Sequence, residues 1–150
     1  MSYNIVLIEP EIPNNTGNIG RLSLGSDSTL HLVKPFGFEL DDKRIKRAGL
    51  DYWQHLSLKI YESVDDFFET HQDKKMVFLS SHGNKPYWDI PYTDDMFFIF
   101  GKESVGLSKD ILSQKEDKLY RIPLFNDKIR SLNLANAVSI VIYDAIRSKQ

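Results

Sequence analysis

The residues best suited to chemistry stand in three segments rich in glycine, asparagine and charged side chains. The segments are residues 13–21 (PNNTGNIGR), 98–107 (FIFGKESVGL) and 122–134 (IPLFNDKIRSLNL). Each follows or extends a short apolar run that has the length of a β-strand. Because an open α/β sheet binds ligands just beyond the carboxyl ends of its strands, these segments are the natural candidates for a binding site.

Several well-known kinds of site are excluded by what the chain lacks. It has no cysteine, which removes disulfides, thiolate zinc sites and cysteine nucleophiles. The dinucleotide, P-loop and nucleophile-elbow motifs (GxGxxG, GxxxxGK[ST] and GxSxG) are absent from the sequence. The four histidines are scattered, without metal-ligand spacing: His31, His55, His71 and His82. We therefore expect no metal site.

The elements that must position these segments alternate between strands and helices. Apolar runs rich in β-branched and aromatic residues predict strands at 3–8, 30–33, 76–79 and 97–100, with weaker candidates at 58–61 and 119–122. Capping residues and charge placement predict helices at 18–24, 41–49, 64–71 (capped by Ser63) and 108–113. This alternation predicts an α/β fold, with a mainly parallel sheet and helices on both faces.

The segment 132–147 (LNLANAVSIVIYDAIR) predicts a helix with an unusually wide apolar surface. Its apolar positions cover far more than one stripe, so the helix must be buried on most sides. Either other elements of its own chain cover it, or it also packs against a partner subunit.

Length and composition predict one globular domain spanning residues 1–150, with a formal net charge of −2. A net acidic chain is no obvious nucleic-acid binder, so RNA contact must rest on a local basic patch. No signal peptide is recognisable, and no apolar stretch approaches the roughly 20 residues of a membrane span. We therefore expect a soluble, cytoplasmic protein without membrane contact.

Taken in order, the three segments resemble the SPOUT superfamily of RNA methyltransferases, in its SpoU-like branch. The motif elements are N-x-G-N-x-x-R at 15–21, F-G-x-E-x-x-G-L at 100–107, and I-P followed by S-L-N between 122 and 133. The resemblance extends through E-P-E-I-P at 9–13 and D-D-K-R at 41–44 with R-A-G-L-D-Y at 47–52. It covers essentially the whole chain.

This resemblance implies 2′-O-methylation of an RNA ribose with S-adenosylmethionine as the methyl donor. The minimal length and the E-P-E-I-P start are most similar to bacterial enzymes that modify the wobble nucleotide, cytidine or uridine 34, in the anticodon stem–loop of certain leucine tRNAs. Two alternatives stay open: a 2′-O-methyltransferase for ribosomal RNA, and a non-catalytic RNA- or nucleotide-binding module on the same scaffold.

The resemblance also implies a C-terminal trefoil knot that holds the cofactor, and it supplies candidate site residues. The cofactor would be lined by Leu79, Gly101, Ile122, Leu124, Ser131 and Asn133. At Gly101 we expect the missing side chain to allow close approach to the adenosine. The implied catalytic residue is Arg21, oriented together with Asn15, Glu103 and Asn133. Because a guanidinium does not readily lose its proton, positioning and charge stabilisation are favoured over a general-base role for Arg21, which stays open.

A homodimer and an RNA-binding patch complete the expectations. The family is dimeric, with the arginine of one chain near the cofactor of the other, and Tyr143 on the C-terminal helix fits such an interface. A basic cluster offers a surface for RNA phosphates: Lys43, Arg44, Lys46 and Arg47. The same cluster can equally be interpreted as a solvent-exposed helix face that binds nothing.

Overall fold

The computed structural model describes residues 2–150, except for the side chains of Lys46 and of residues 48–51. In this part of the chain, seven strands form one sheet in which every strand pair is parallel. The strands are β1 (Asn4–Ile8), β2 (Thr29–Val33), β3 (Leu58–Tyr61), β4 (Met76–Leu79), β5 (Lys85–Pro86), β6 (Phe97–Phe100) and β7 (Leu119–Arg121). All six predicted strands are therefore present, and the short β5 is added.

The helices are α1 (Pro13–Gly25), α2 (Lys43–Gly49), α3 (Val64–Thr70), α4 (Lys109–Gln114) and α5 (Leu134–Arg147). Within the described residues, three short 3₁₀ helices lie at Leu50–His55, Tyr87–Asp89 and Glu116–Lys118. The predicted cap of α3 is confirmed, since the Asp66 N–H donates to the Ser63 hydroxyl at 3.0 Å. No helix in the described part of the chain is both long and apolar enough to cross a membrane.

Three predicted helix starts are wrong by more than one residue. Helix α2 begins at Lys43 rather than residue 41. Helix α1 begins at Pro13 rather than residue 18, so the first motif lies on a helix and not in a loop. Proline suits the first helical position, because the N–H that it lacks has no partner inside the helix. Helix α5 begins at Leu134 rather than residue 132, because Asn133 takes the extended N-cap position and its side chain accepts from the helix.

The strand order is β3-β2-β1-β6-β4-β7-β5. Strand β6 pairs with both β1 and β4, so strands distant in sequence become neighbours. Parallel neighbours place their carboxyl ends at one edge of a sheet, which brings the ends of β4, β6 and β7 together. This order is consistent with a C-terminal knot; the threading itself stays a prediction.

Helices cover both faces of the sheet, as predicted. One core packs α1 and α5 against alternate strand residues: Ile5, Leu7, Leu30, Leu32, Phe98 and Phe100. The other core packs α3 and α4 against the intervening residues: Val6, Ile8, Val33, Phe78 and Ile99. Within the chain, α5 is fully buried along a single stripe of Val138, Val141, Ile142 and Ala145. The apolar surface of α5 thus exceeds what its own sheet covers.

The second core contains a buried chain of polar groups. Asn4 donates its amide N–H to the carbonyl of Asp95, so its oxygen accepts from Nε2 of His31 at 2.8 Å. Nδ1 of His31 then accepts from the Tyr61 hydroxyl, and that hydroxyl accepts from Nε2 of His71, each at 2.8 Å. Burial is the main reason why the pKa of His31 falls to about 3. The fold thus joins two histidines that lie 40 positions apart in the sequence.

Candidate active site

A cleft of about 610 Å³ lies at the edge where the carboxyl ends of β4, β6 and β7 meet. All six residues predicted to contact a cofactor line it: Leu79, Gly101, Ile122, Leu124, Ser131 and Asn133. Leu79 ends β4, and the other five residues come from the segments that follow β6 and β7. The geometry therefore assembles the predicted cofactor residues in one place, although their contacts with a cofactor stay predictions.

The lining of the cleft fits a nucleoside-like ligand. Leu79, Ile122 and Leu124 form apolar walls, and Ser131 and Asn133 add hydrogen-bonding groups. The volume falls within the range of small-molecule pockets, which are mostly apolar with a few polar groups that fix orientation. Among the described residues, no cluster of three or more histidine, aspartate and glutamate side chains has the arrangement of a metal site.

Glu103 connects the second motif to the start of α1. Its carboxylate accepts from the main-chain N–H groups of Glu11 and Ile12 at 2.8 and 2.9 Å, and from the side-chain amide of Asn15 at 3.2 Å. An acidic group from a different segment thus satisfies N–H groups just before the helix, where negative charge is favourable. Glu103 orients the first motif and does not face the cleft as a free acid.

Glu11 makes the reciprocal connection. Its carboxylate accepts from the main-chain N–H and the hydroxyl of Ser104, at 2.8 and 3.0 Å. These hydrogen bonds, the main-chain one foremost, lower the pKa of the Glu11 carboxyl. Two glutamates therefore cross-link the loop after β1 to the loop after β6. Sequence reasoning assigned no role to Glu11, although its place directly after a strand was a usable signal.

Asn15 and Asn133 join the first motif to the third. The side-chain amide of Asn133 donates to the side-chain oxygen of Asn15 at 3.0 Å, while its own oxygen accepts from the N–H groups of Ala135 and Asn136. The chain of hydrogen bonds from Glu103 through Asn15 to Asn133 thus unites the three sequence motifs. The structure brings together three of the four predicted catalytic residues.

Gly101 makes a close backbone contact that the sequence did not predict. A Cβ at this position would lie 2.2 Å from the carbonyl carbon of Gly106 and 2.3 Å from the nitrogen of Leu107. The chain's own backbone therefore requires a glycine here, and the close approach of an adenosine stays a prediction. A hydrogen bond from the Gly106 N–H to the Lys102 carbonyl, at 2.8 Å, closes this turn.

Arg21 stands apart from the other predicted catalytic residues. It is exposed on α1, and the residues lining the cleft of its own chain do not include it. Asn15, which does line the cleft, lies six positions earlier, which corresponds to about 9 Å along the helix axis and about 240° around it. Within one chain, the arginine and the cleft therefore belong to different surfaces.

Charged residues that sequence reasoning missed also line the cleft. Lys102, Arg121 and Arg130 contribute three positive charges, and the cleft lining has the single carboxylate of Glu103. Lys102 also forms an ion pair with Glu9 at 3.2 Å, which leaves the two arginines as the main positive groups. Arg121 is held in place, because it donates to the carbonyls of Gly83 and Asn84 at 3.0 and 3.2 Å. In the sequence, Lys102 follows β6 and Arg121 ends β7, and these places at strand ends were the available signal. The cleft has a local positive balance in a chain whose net charge is negative.

The basic cluster proposed for RNA contact is only partly available. Arg44 forms a bidentate ion pair with Asp42, in which Nη2 lies 2.8 Å from Oδ2 and Nε lies 3.1 Å from Oδ1. Lys43 and Arg47 are exposed, and the side chain of Lys46 lies outside the described residues. RNA contact at this surface stays a prediction.

Comparison with known proteins identifies the family. The model of the SpoU rRNA Methylase family matches residues 2–143. The chain belongs to the SpoU methylase family. This confirms the resemblance inferred from the three motifs.

Individual members of the family match almost the whole chain. A protein of Listeria monocytogenes serotype 4b (strain F2365) is 47% identical over 99% of this chain and 89% of its own length. The protein named tRNA (cytidine(34)-2'-O)-methyltransferase from Saccharophagus degradans (strain 2-40) is 42% identical, covering 97% of this chain and 94% of its own. These SpoU relatives are therefore close in both length and sequence.

A solved structure shares the fold at high similarity. It belongs to a study of the 2-OH methylation of C/U34 on tRNA, and it is 35% identical with a TM-score of 0.94. The match covers 99% of this SpoU-family chain and 96% of that one. The predicted α/β class, with a mainly parallel sheet of the SPOUT type, is confirmed.

Proposed function

We propose that this protein transfers a methyl group from S-adenosylmethionine to the ribose 2′-hydroxyl of the wobble nucleotide, cytidine or uridine 34, of tRNA. The observation that carries the proposal is the hydrogen-bonded chain Glu103–Asn15–Asn133 at a cleft lined by the cofactor residues. Relatives at 42–47% identity over nearly the full length support the same reaction.

The residues of the cleft fit the cofactor and its chemistry. S-adenosylmethionine supplies an electrophilic methyl on a sulfonium, and its transfer to oxygen leaves a thioether while the hydroxyl loses its proton. Leu79, Ile122 and Leu124 would bind the adenine against apolar walls. Ser131 and Asn133 would orient the ribose and the amino-acid portion through hydrogen bonds. Holding the 2′-hydroxyl in line with the methyl group of the cofactor accounts for a large part of the rate enhancement.

The substrate we propose is the anticodon stem–loop of leucine tRNAs. Nucleotide 34 is unpaired in that loop, so its ribose is accessible without opening a helix. The positive charges of Lys102, Arg121 and Arg130 around the cleft favour the approach of RNA phosphates. We also propose that the reaction takes place in the cytoplasm, where tRNA is used.

We assign Arg21 the role of binding the neighbouring phosphate and stabilising the negative charge that develops on the 2′-oxygen. A guanidinium keeps its proton, so its contribution is electrostatic and geometric. Its planar fork matches a phosphate or an alkoxide better than a lysine does. Arg21 does not line the cleft of its own chain, and we propose that a second chain brings it there.

We propose a homodimer in which the surfaces of α1 and α5 form the interface. These helices pack side by side on one face of the sheet. Tyr143 on α5 is 48% exposed, and its hydroxyl would lie 3.9 Å from a Cβ on Gly25 of α1. An interface there would cover the apolar surface of α5 and carry Arg21 to the partner's cleft.

Methyl transfer to defined RNAs tests the proposal. Purified protein is incubated with S-adenosylmethionine labelled in its methyl group and with anticodon stem–loops of leucine tRNAs. The matched control is a stem–loop with a 2′-deoxy nucleotide at position 34, which has no hydroxyl to methylate. We expect incorporation into the first RNA and none into the control.

Two results would contradict the proposal. Incorporation into ribosomal RNA fragments but not into tRNA would assign a different substrate. Failure of the protein to bind the cofactor or its demethylated product in calorimetry would favour a non-catalytic RNA-binding module. Mapping ribose methylation in tRNA from a deletion strain checks the same position in the cell.

A further inference from the structure

Arg21 lies against an aromatic ring. The central carbon of its guanidinium lies 5.2 Å from the centroid of the Tyr52 ring. Tyr52 belongs to the 3₁₀ segment Leu50–His55, and 42% of its surface is exposed. A guanidinium at this distance from an aromatic face is attracted by the negative potential of the ring. The arginine is therefore held on one side although it is exposed.

The neighbouring residues anchor this contact. A Cβ on Gly20 would lie 2.6 and 2.9 Å from two ring carbons of Trp53, so Trp53 sits directly on the backbone of α1. Two consecutive residues of the helix thus meet two consecutive residues of the 3₁₀ segment: Gly20 meets Trp53, and Arg21 meets Tyr52. Because Trp53 fixes the segment against α1, the Tyr52 ring has a defined place beside the arginine.

An exposed arginine samples many rotamers, and binding a phosphate requires most of them to be given up. A ring packed on one face of the guanidinium removes part of that freedom before the substrate arrives. It leaves the N–H groups at the edge of the plane available, and these are the groups that form paired hydrogen bonds with phosphate oxygens.

We propose that Tyr52 is a positioning residue that orients Arg21 toward the RNA substrate through the face of its ring. The inference rests on the role proposed above for Arg21. The ring of Tyr52, and not its hydroxyl, orients Arg21. Phenylalanine at this position should therefore preserve the orientation, whereas leucine should not. Neither exchange touches the cofactor cleft.

A double-mutant cycle tests the inference. Single-turnover methyl transfer to a leucine tRNA stem–loop is measured for Tyr52→Leu and Tyr52→Phe, in the wild type and in Arg21→Ala. We expect Tyr52→Leu to lower the rate about three- to tenfold in the wild type and to have no effect in Arg21→Ala. Tyr52→Phe should stay within about twofold of the wild type, because its ring retains the attraction for the cation.

Controls separate positioning from damage to the fold. Thermal unfolding and the affinity for S-adenosylmethionine should be the same in Tyr52→Leu, Tyr52→Phe and wild type. An equal loss from Tyr52→Leu in both backgrounds, or a Tyr52→Phe variant as slow as Tyr52→Leu, would overturn the inference.

The cycle also distinguishes this inference from the role proposed for Arg21. Normal turnover in Arg21→Ala would remove the arginine from the mechanism. An inactive Arg21→Ala beside a fully active Tyr52→Leu would overturn the positioning role of Tyr52 alone.

Discussion

The side chain of Asn133 donates a hydrogen bond to that of Asn15 across 118 positions of sequence, at 3.0 Å. Asn15 in turn donates to Glu103, whose carboxylate also accepts from the backbone of residues 11 and 12. The hydrogen bond between Asn15 and Asn133 links the first turn of α1 to the start of α5, so one border of the cleft is fixed. We therefore expect the stability of this border to depend on the hydrogen bonds among Glu103, Asn15 and Asn133.

Replacing Glu103 by alanine should loosen this border. The N–H groups of Glu11 and Ile12 and the Asn15 amide would lose their partner, and hydrogen bonds to a charged group contribute about 1.5–3 kcal/mol. We expect a loss of about 1–3 kcal/mol in the free energy of unfolding, measured in urea, with weaker cofactor binding. Glu116→Ala, which removes an exposed acid, is the control. Equal stability of the two variants would contradict the role of Glu103.

Gly101→Ala should disrupt the cofactor loop. The new methyl group would lie 2.2–2.7 Å from backbone atoms of Gly106 and Leu107, so the turn over residues 102–106 must shift. We expect at least a tenfold loss in affinity for S-adenosylmethionine by calorimetry, which corresponds to about 1.4 kcal/mol. Gly25→Ala is the matched control, because its methyl group meets nothing closer than 3.9 Å. Unchanged affinity in folded Gly101→Ala would remove this loop from the cofactor site.

Arg21→Ala should affect transfer and not cofactor binding. The residue does not line the cleft of its own chain, and removing one well-placed electrostatic group costs on the order of 10²-fold in rate. Arg21→Lys should recover little activity, because an ammonium lacks the planar fork. Transfer rates and calorimetry with the cofactor check both statements. A lysine variant as fast as the wild type would show that charge alone suffices.

The proposed dimer predicts the effect of Tyr143→Asp. A charge on the exposed surface of α5 should split the dimer in sedimentation velocity and lower methyl transfer at least tenfold, because a buried unpaired charge is costly. Gln72→Asp, on an exposed turn after α3, should do neither. A wild-type protein that is monomeric at micromolar concentration and fully active would contradict the prediction.

Mixed dimers test whether Arg21 acts in the partner's cleft. Arg21→Ala chains alone should be about 10²-fold slower than the wild type, and Gly101→Ala chains should transfer little methyl at a cofactor concentration well below their Kd. A heterodimer restores one complete site if the arginine acts across the interface, so random mixing should give about a quarter of the wild-type rate. No recovery in a mixture that sediments as dimers would place the arginine and the cleft in the same chain.

The buried pair His31 and His71 predicts that stability falls in acid. Burial is the first cause of the lowered pKa of both rings, and that of His31 falls from 6.5 to about 3. The unfolded chain therefore binds more protons between these pH values, and folding loses up to about 1.4 kcal/mol per pH unit as the pH drops through that window. His31→Gln should have a shallower dependence in urea unfolding at pH 4–7, whereas the exposed His82→Gln should retain the wild-type slope.

The sequence by itself determined the fold class and the ligand-binding edge. Runs such as residues 76–79 and 97–100 are apolar at every position, which only a strand covered on both faces tolerates. The three motifs predicted the family, which the family model confirms, and they supplied the residues that we expect to line the cofactor, because the site of an α/β sheet follows strand ends that can be found in the sequence.

Only the tertiary structure decided which of these groups meet. Strand β6 enters between β1 and β4, and this order brings Glu103 beside Asn15. It also separated Arg21 from the cleft and set it over Tyr52. Local sequence indicates which segments form strands or helices, but strand order depends on packing free energy summed over the whole sheet. Contacts between residues about 90 to 120 positions apart were therefore beyond the reach of motif spacing.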